Sequence, residues 1–383
     1  MEKKKFWQMP GFQTLLTSLI CIVAGLFVGF IILLLIAPEG ALEAIVTIVL
    51  NFLTKNSVGS MLKAFGNTLI KTAPLLMCAL SICFCYKVGL FNIGAAGQYE
   101  AGAGAALALA LIFNMPWYVC LLGAVVAGGL LGALTGTLKA YRNVNEVISG
   151  IMLNWITLYA VNMVLSNPVS KDTASPYTWA LTQKNPSALL PSLGLGALFN
   201  NNKNVTIAVP LAIISAIVIW VVLEKTKFGY ELKATGYNKE AARYAGMHEK
   251  KNIIVTLMIG GALAGIGAAF MYLSGFSKWE TTMASVPGMG FNGIAATFLG
   301  GLHPIGTIFS SFFIQNITDG GSLIDRMLYP SQISDLISGV IIYFCGFVLF
   351  FKTVMNARRK KTERKGENAL FYCYSTRLSL PPC

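Results

Sequence analysis

Charge is what this chain has least of. Asp, Glu, Lys and Arg make up 12% of its 383 residues, where soluble domains carry roughly a quarter. A surface so poor in charge cannot be wetted over its whole extent, so most of the chain must face lipid. That excludes a soluble enzyme, a disordered chain and a secreted disulfide scaffold. Histidine is nearly missing: His248 and His303 are the only two, too few for a histidine-based metal centre. No G-x-x-x-x-G-K-[ST] occurs, so ATP is not hydrolysed here through a P-loop. Ser, His and acidic residues show no triad or zinc spacing, which argues against a membrane enzyme.

What is present is apolar. Hydrophobic residues make up 55% of the chain, and the mean hydropathy is +0.65. Six of the eight cysteines (Cys21, Cys78, Cys83, Cys85, Cys120 and Cys345) lie in apolar runs and read as small hydrophobes. Cys83 and Cys85 form C-x-C with no second cluster, which does not make a metal site. Lys3, Lys4 and Lys5 precede an apolar stretch from about Leu15 to Ala37. That stretch is too long for a signal-peptide core and no A-x-A follows, so it is expected to remain as a first span.

Runs of roughly 20 apolar residues mark spanning helices. They fall at 15–37, 64–86, 94–113, 117–138, 147–166, 205–223, 253–273, 288–301, 304–318 and 333–351, ten in all. Gly300, Gly301 and Pro304 divide the short eighth and ninth, which read as two spans, one bent helix or a re-entrant hairpin. Ala41–Phe52 has apolar residues at helical spacing and reads as a helix lying on the outer face. With the N-terminus inside and the spans alternating, 21 of the 29 Lys and Arg residues fall inside and 8 outside. The positive-inside rule therefore predicts an all-α integral membrane protein with both termini in the cytoplasm. The net charge of +13 then needs no nucleic-acid partner. The expected organisation is a cytoplasmic start at 1–14, a membrane domain at 15–351 and a cytoplasmic tail at 352–383. An outer loop occupies 167–204 and an inner, charged loop 224–252.

Phe91-Asn92-x-x-Ala95-Ala96 recurs as Phe291-Asn292-x-x-Ala295-Ala296, at the inner end of one span and the outer start of another. That placement fits an inverted repeat, and chance fits it equally. Polar groups at membrane depth survive where protein buries them or a cavity receives them. The richest stretch runs from Gly89 to Glu100, where glycines loosen the helix and Asn92, Gln98 and Glu100 offer hydrogen bonds. It reads either as a broken helix beside a solute path or as a cytoplasmic turn whose glycines allow close packing. Glu146 sits at a helix start, where a capping role suits a carboxylate. Asn154, about two turns deeper, is either an interhelical hydrogen bond or a path residue. Lys71 lies near the outer end of its span and is expected to snorkel. Gly288-Met289-Gly290-Phe291-Asn292-Gly293 matches G-x-G-x-x-G, but no strand precedes it, so a dinucleotide site is rejected.

The most specific feature is the inner loop Phe228–Met247. Asn238 can cap a short helix holding Glu240, Ala241 and Ala242, and Gly246 can end it. Small residues there permit close docking of a partner; a solvated connector is the plainer reading. The spacing G-x-x-L-x-A-x-G-x-N-x-x-A-A-x-x-A-G over Gly229–Gly246 resembles the cytoplasmic coupling segment of ABC importer permeases of the branched-chain amino acid and simple-sugar group. Gly-Leu-Phe-Asn-Ile-Gly at 89–94 with Gly97-Gln98, and Asn-Glu-Val-Ile-Ser-Gly-Ile-Met-Leu-Asn at 145–154, resemble the nucleoside-uptake branch. Gly293-Ile294-Ala295, Leu299-Gly300-Gly301 and Pro304-Ile305-Gly306 fit as well, and the resemblance covers about 60–350. Relatives often carry Glu where this chain has Ala96, which leaves no carboxylate at that position.

The resemblance implies a multi-pass permease subunit of the bacterial plasma membrane that imports nucleosides; a simple-sugar permease is the alternative. It implies no cofactor in this chain, with ATP and Mg on a separate ATPase subunit. It also implies an extracytoplasmic substrate-binding lipoprotein and a second, related permease, so that the pore is a heterodimer. On that scheme Gly229, Glu231, Ala234, Gly236, Asn238, Glu240, Ala241 and Gly246 serve coupling to the ATPase. Asn92, Gln98, Asn154 and Asn292 line or shape the path, where amides and aromatics suit an uncharged nucleoside. An ion-coupled secondary transporter is the rival class, and the scarcity of paired intramembrane acids argues against it. The last residues, Ala369–Cys383, break the pattern and are assigned no function.

Overall fold

The computed structural model describes residues 10–325, 327–329 and seven positions between 336 and 347. The lysines at 3–5 and the tail at 352–383 lie outside the described residues, as does most of the span expected at 333–351.

The described residues fold into helices: α1 Pro10–Ile36, α2 Ala41–Leu50, α3 Val58–Lys87, α4 Ala95–Leu111, α5 Trp117–Arg142, α6 Glu146–Leu165, α7 Leu181–Lys184, α8 Leu195–Leu198, α9 Ala208–Lys225, α10 Lys227–Tyr237, α11 Lys239–Tyr244, α12 Glu249–Tyr272, α13 Gly288–Leu299 and α14 Pro304–Gly321. Two isolated bridges, Lys171 with Thr178 and Tyr177 with Glu280, are the extended pairings among them. Each span expected between residues 15 and 318 coincides with a helix, and α2 forms where the amphipathic segment was expected. Six helices are long and apolar enough to cross a membrane: Leu19–Ile36 within α1, then α3, α5, α6, α9 and α12. The others fall short for physical reasons. At 1.5 Å per residue α13 is about 18 Å long and α4 about 26 Å, against a hydrocarbon core of roughly 30 Å. α14 carries Gln315, Asn316 and Asp319 in its last two turns.

α3 is the central post. Its most apolar window is 89% buried, whereas that of α1 is 22% buried. A helix apolar on every side is stable in lipid as well as in protein, so α1 can keep Val23, Phe27 and Leu35 outward without cost. α5 and α12 pair through glycine. A Cβ at Gly132 would collide with the Leu257 carbonyl oxygen, and one at Gly261 with that of Gly128. In lipid, where apolar association has little driving force, such close backbone approach is what holds helices together. α4 is rich in Ala and Gly and slots between α5, α12 and α6. A Cβ at Gly102 would meet the Gly265 Cα at 2.5 Å, and one at Gly104 would meet Val161 Cγ2 at 2.6 Å.

α13 and α14 form two helices turned back on each other beside α3, which excludes one bent helix among the readings for that pair. The chain turns at Gly300–His303, with Gly301 at φ +67°. Phe298 lies against Tyr86 near the end of α3, at a centroid distance of 5.4 Å. Asp319, late in α14, returns to Lys71 with its oxygen 2.7 Å from Nζ. Lys71 therefore does not simply snorkel. It makes an ion pair with α14 that Gln315 Nε2 shares, donating to the same Asp319 oxygen at 3.0 Å. Snorkelling places a charge by distance to water alone, and it overlooks a carboxylate 248 residues away in sequence.

The segment 167–204 is strapped down rather than loose. Asn185 Nδ2 donates to the carbonyls of Ala110 at 2.8 Å and Met115 at 3.0 Å. The Leu190 N–H donates to the Leu273 carbonyl at 2.9 Å, and Asn202 Nδ2 to Asn67 Oδ1 at 2.8 Å.

Candidate functional site

The glycine-loosened stretch is a chain break, not a helix. α3 ends at Lys87, Gly89 takes φ +77°, and α4 starts only at Ala95. Between them Asn92 is 2% exposed and folds onto α4. Its Nδ2 donates to Gln98 Oε1 at 2.8 Å and to Ser81 Oγ at 3.0 Å. Gln98 Nε2 returns a bond to Asn92 Oδ1 at 3.1 Å. Two amides paired head to tail satisfy each other, which is how a polar pair survives where water is excluded.

Asn154 holds the same break from the side of α6. Its Oδ1 accepts from the Gly97 N–H at 2.8 Å, and its Nδ2 donates to the Ile93 carbonyl at 3.2 Å. One side chain thus ties a free N–H in the first turn of α4 to the loop before it. Asn154 thus makes interhelical hydrogen bonds. Asn292 stands apart: it lies half-buried near the start of α13 and makes no hydrogen bond to the other three. Asn92, Gln98 and Asn154 are thus brought together and Asn292 is not. The structural cap of α6 is Asn145, whose Oδ1 accepts from the Val147 N–H at 2.8 Å. Glu146 instead pairs with Lys139 across the bend from α5, at 2.8 Å.

The loop expected on the inside is two short helices joined at Asn238. Thr226 Oγ1 caps α10, accepting from the Gly229 N–H at 3.0 Å. Asn238 Oδ1 caps α11 through the Ala241 N–H at 3.0 Å. Gly246, at φ +83°, follows the end of α11, as its position had suggested. The expected site residues divide by face. Gly229 is buried against α9, where a Cβ would meet the Leu223 Cα at 2.7 Å. Glu231, Asn238, Glu240, Ala241 and Gly246 are exposed, and Ala234 is half-buried. Tyr230, Tyr237 and Tyr244, seven residues apart, are 65%, 90% and 91% exposed.

One contact joins the two regions. A Cβ on Gly236 would collide with the Val88 carbonyl oxygen, and one on Gly89 would meet the Gly236 carbonyl oxygen at 3.0 Å. α10 therefore rests backbone to backbone on the turn that opens the Asn92 loop. A second tie lies beside it, where Asn252 Nδ2 on α12 donates to Thr235 Oγ1 on α10 at 2.8 Å. Sequence reasoning had marked both regions but not their meeting. Ser81, the third member of the amide cluster, was missed as well, its only signal being a hydroxyl in an apolar run. Trp279 was also missed. It is fully buried, and its indole N–H donates to Asn162 Oδ1 at 2.9 Å while Asn162 Nδ2 donates to the Met283 carbonyl at 2.8 Å.

Among the described residues no group of three or more His, Cys, Asp or Glu could hold a metal ion. What the geometry offers is a bundle of apolar helices, a turn between α3 and α4 pinned by amides, and two short exposed helices pressed on that turn. Those are the parts of a membrane transport subunit. The chain belongs to the family of branched-chain amino acid transport system permease components, whose model matches residues 64–346. The guanosine ABC transporter permease protein NupP of Bacillus subtilis is 30% identical over 91% of this chain and 97% of its own length. The nucleoside ABC transporter permease protein NupB of Lactococcus lactis is 31% identical over 93% and 99%. A second Bacillus subtilis guanosine permease, NupQ, is 29% identical over 67% and 82%. No solved structure matches the chain.

Proposed function

We propose that this chain is the membrane-spanning subunit of an ATP-driven importer of nucleosides. The observation that carries the mechanism is the backbone contact of Gly236 with Val88 and Gly89. It gives a force applied to α10 and α11 a short route to the break before α4, with no flexible side chain between. On this reading a separate ATPase, which supplies ATP and Mg, grips the exposed face of α10–α11. Three tyrosines, Tyr230 and Tyr237 on α10 and Tyr244 at the end of α11, all more than 60% exposed, suit such a grip, because aromatic rings anchor interfaces at low entropic cost. Asn92, Gln98, Asn154 and Asn292 then shape the path from different sides.

The nucleoside assignment follows the relatives, two of which match over nine-tenths of this chain. Two guanosine permeases in one Bacillus, NupP and NupQ, both resemble it, which supports a pore made with a second, related permease. A binding lipoprotein delivering solute to the outer face, both termini in the cytoplasm of a bacterium, ten spans and an inverted repeat complete the reading.

Uptake of labelled guanosine by membrane vesicles holding this chain, its ATPase, its second permease and the binding protein tests the proposal. Replacing Tyr230, Tyr237 and Tyr244 with Ala is expected to release the ATPase on detergent extraction and to abolish uptake, with the permease still in the membrane. Guanosine uptake that persists without the ATPase and stops with an uncoupler would sink the reading in favour of an ion-coupled carrier. Competition by ribose but not by nucleosides would turn it toward a sugar.

A further inference from the structure

Among the described residues Glu100 is the one buried acid that the account above does not use. It is 0% exposed, and neither carboxyl oxygen has a hydrogen-bond partner. Among the described residues the Ser311 hydroxyl is the only other buried side-chain oxygen or nitrogen left so. Two turns earlier every amide is paired. A carboxyl group, charged or neutral, loses water on both oxygens here, a cost that no hydrogen bond among the described residues offsets.

Its neighbours on the helix fix the direction it faces. Ala96, one turn before, packs against Gly290 at the start of α13, where a Cβ on Gly290 would meet the Ala96 Cα at 2.6 Å. Gly97 and Gly104, one turn to either side, pack against Asn154 and Val161 of α6. Glu100 therefore lies on the seam where α4 meets α6 and the first turn of α13. Along that seam Ala96, Gly97 and Gly104 let the neighbouring helices lie close against α4. α6 is also a single layer: its far side exposes Ile148, Met152, Ile156, Tyr159 and Met163. The carboxyl thus sits one helix behind the surface, on the helix whose start Asn92 and Asn154 hold.

We propose that Glu100 is a solute-binding residue, reached when α6 shifts from α4, and that it takes an uncharged solute offering two adjacent hydrogen-bond donors. Two free oxygens on one planar group match a pair of donors side by side. A ribose supplies such a pair in its 2′,3′-diol, and a guanine in its N1–H and 2-amino edge. The proposal rests on the nucleoside reading and narrows it.

The test uses the complete transporter in proteoliposomes, with guanosine, 2′-deoxyguanosine and inosine as solutes. Glu100→Gln and Glu100→Leu are expected to raise the KM for guanosine by about tenfold to a hundredfold, the loss expected of a charge-assisted bond pair, and to leave solute-independent ATPase activity unchanged. If the diol is held, the wild type discriminates against 2′-deoxyguanosine and Glu100→Gln does not; if the base edge is held, the same is seen with inosine. A second measurement needs no variant. An apolar carbodiimide should modify Glu100 in the wild-type protein more slowly under saturating guanosine, read by mass spectrometry of the peptide that carries it. Both variants transporting guanosine with the wild-type KM, or a labelling rate indifferent to guanosine, would overturn the proposal. A wild-type complex that imports no nucleoside would instead overturn the reading beneath it.

Discussion

Two asparagines of α6, eight residues apart, are fastened to very different things. Asn154, midway along the helix, grips the Gly97 N–H and the Ile93 carbonyl, so it holds the turn before α4. Asn162, near the helix end, grips the Trp279 indole and the Met283 carbonyl, so it holds the loop after α12. Both amides are buried and both spend donor and acceptor on another segment. Only the Asn154 clamp continues, through Gly89 and Gly236, to helices that stand exposed. The Asn162 clamp continues into an extended pairing of two loops: the Thr178 N–H donates to the Trp279 carbonyl and the Thr281 N–H to the Pro176 carbonyl, each at 2.9 Å, and Thr178 Oγ1 accepts from the Trp279 main-chain N–H at 3.2 Å. One clamp thus reaches an exposed surface and the other a pairing closed within the chain.

Four substitutions break or sharpen that contrast. The largest effect is expected from Gly236→Val, whose Cβ has no room beside Val88. Seating it costs roughly 4 kcal/mol or more, the range of severe core overpacking and backbone strain. Guanosine uptake in vesicles should fall to background with the protein still inserted; uptake near the wild-type rate would deny that the handle drives the break. Next comes Asn154→Leu, which orphans a buried N–H and a buried carbonyl at a cost of about 2–4 kcal/mol. The midpoint of thermal unfolding in detergent should drop, and uptake with it. Trp279→Phe keeps a ring in place but removes one hydrogen bond, about 1 kcal/mol. It should lower the unfolding midpoint while leaving uptake nearly intact; a transport loss as deep as that of Asn154→Leu would erase the distinction between the two clamps. The smallest effect is expected for Lys71→Met. Its ion pair with Asp319 is 30% exposed on the lysine side, and such pairs contribute no more than about 1 kcal/mol. High salt should leave the unfolding midpoint nearly unchanged.

Much of this was legible in the residues. Apolar runs located the helices, since a spanning segment must satisfy its own backbone and carry apolar side chains on every face. Asn238 as a cap and Gly246 as a stop were readable because capping acts over three or four residues. The polar stretch from Gly89 to Glu100 stood out because amides and acids are rare at that depth. What could not be read was pairing. Asn92 finds Ser81 and Gln98, Lys71 finds Asp319, and Asn162 finds Trp279, at sequence separations from 6 to 248. That α13 and α14 turn back on each other rather than run as one bent helix could not be read either, because Gly300 and Gly301 permit a reversal without requiring it.

The amino-acid sequence alone settled the medium this protein lives in, the positions of its helices and the local form of its inner handle. Each of those follows from transfer free energies and backbone geometry summed over neighbouring residues. Only the folded arrangement decided that the handle presses on the break before α4, that three amides meet there while Asn292 does not, and that Glu100 is left with empty hands. Those depend on which helix faces come together, and that is chosen by the close approach of glycine backbones from distant parts of the chain.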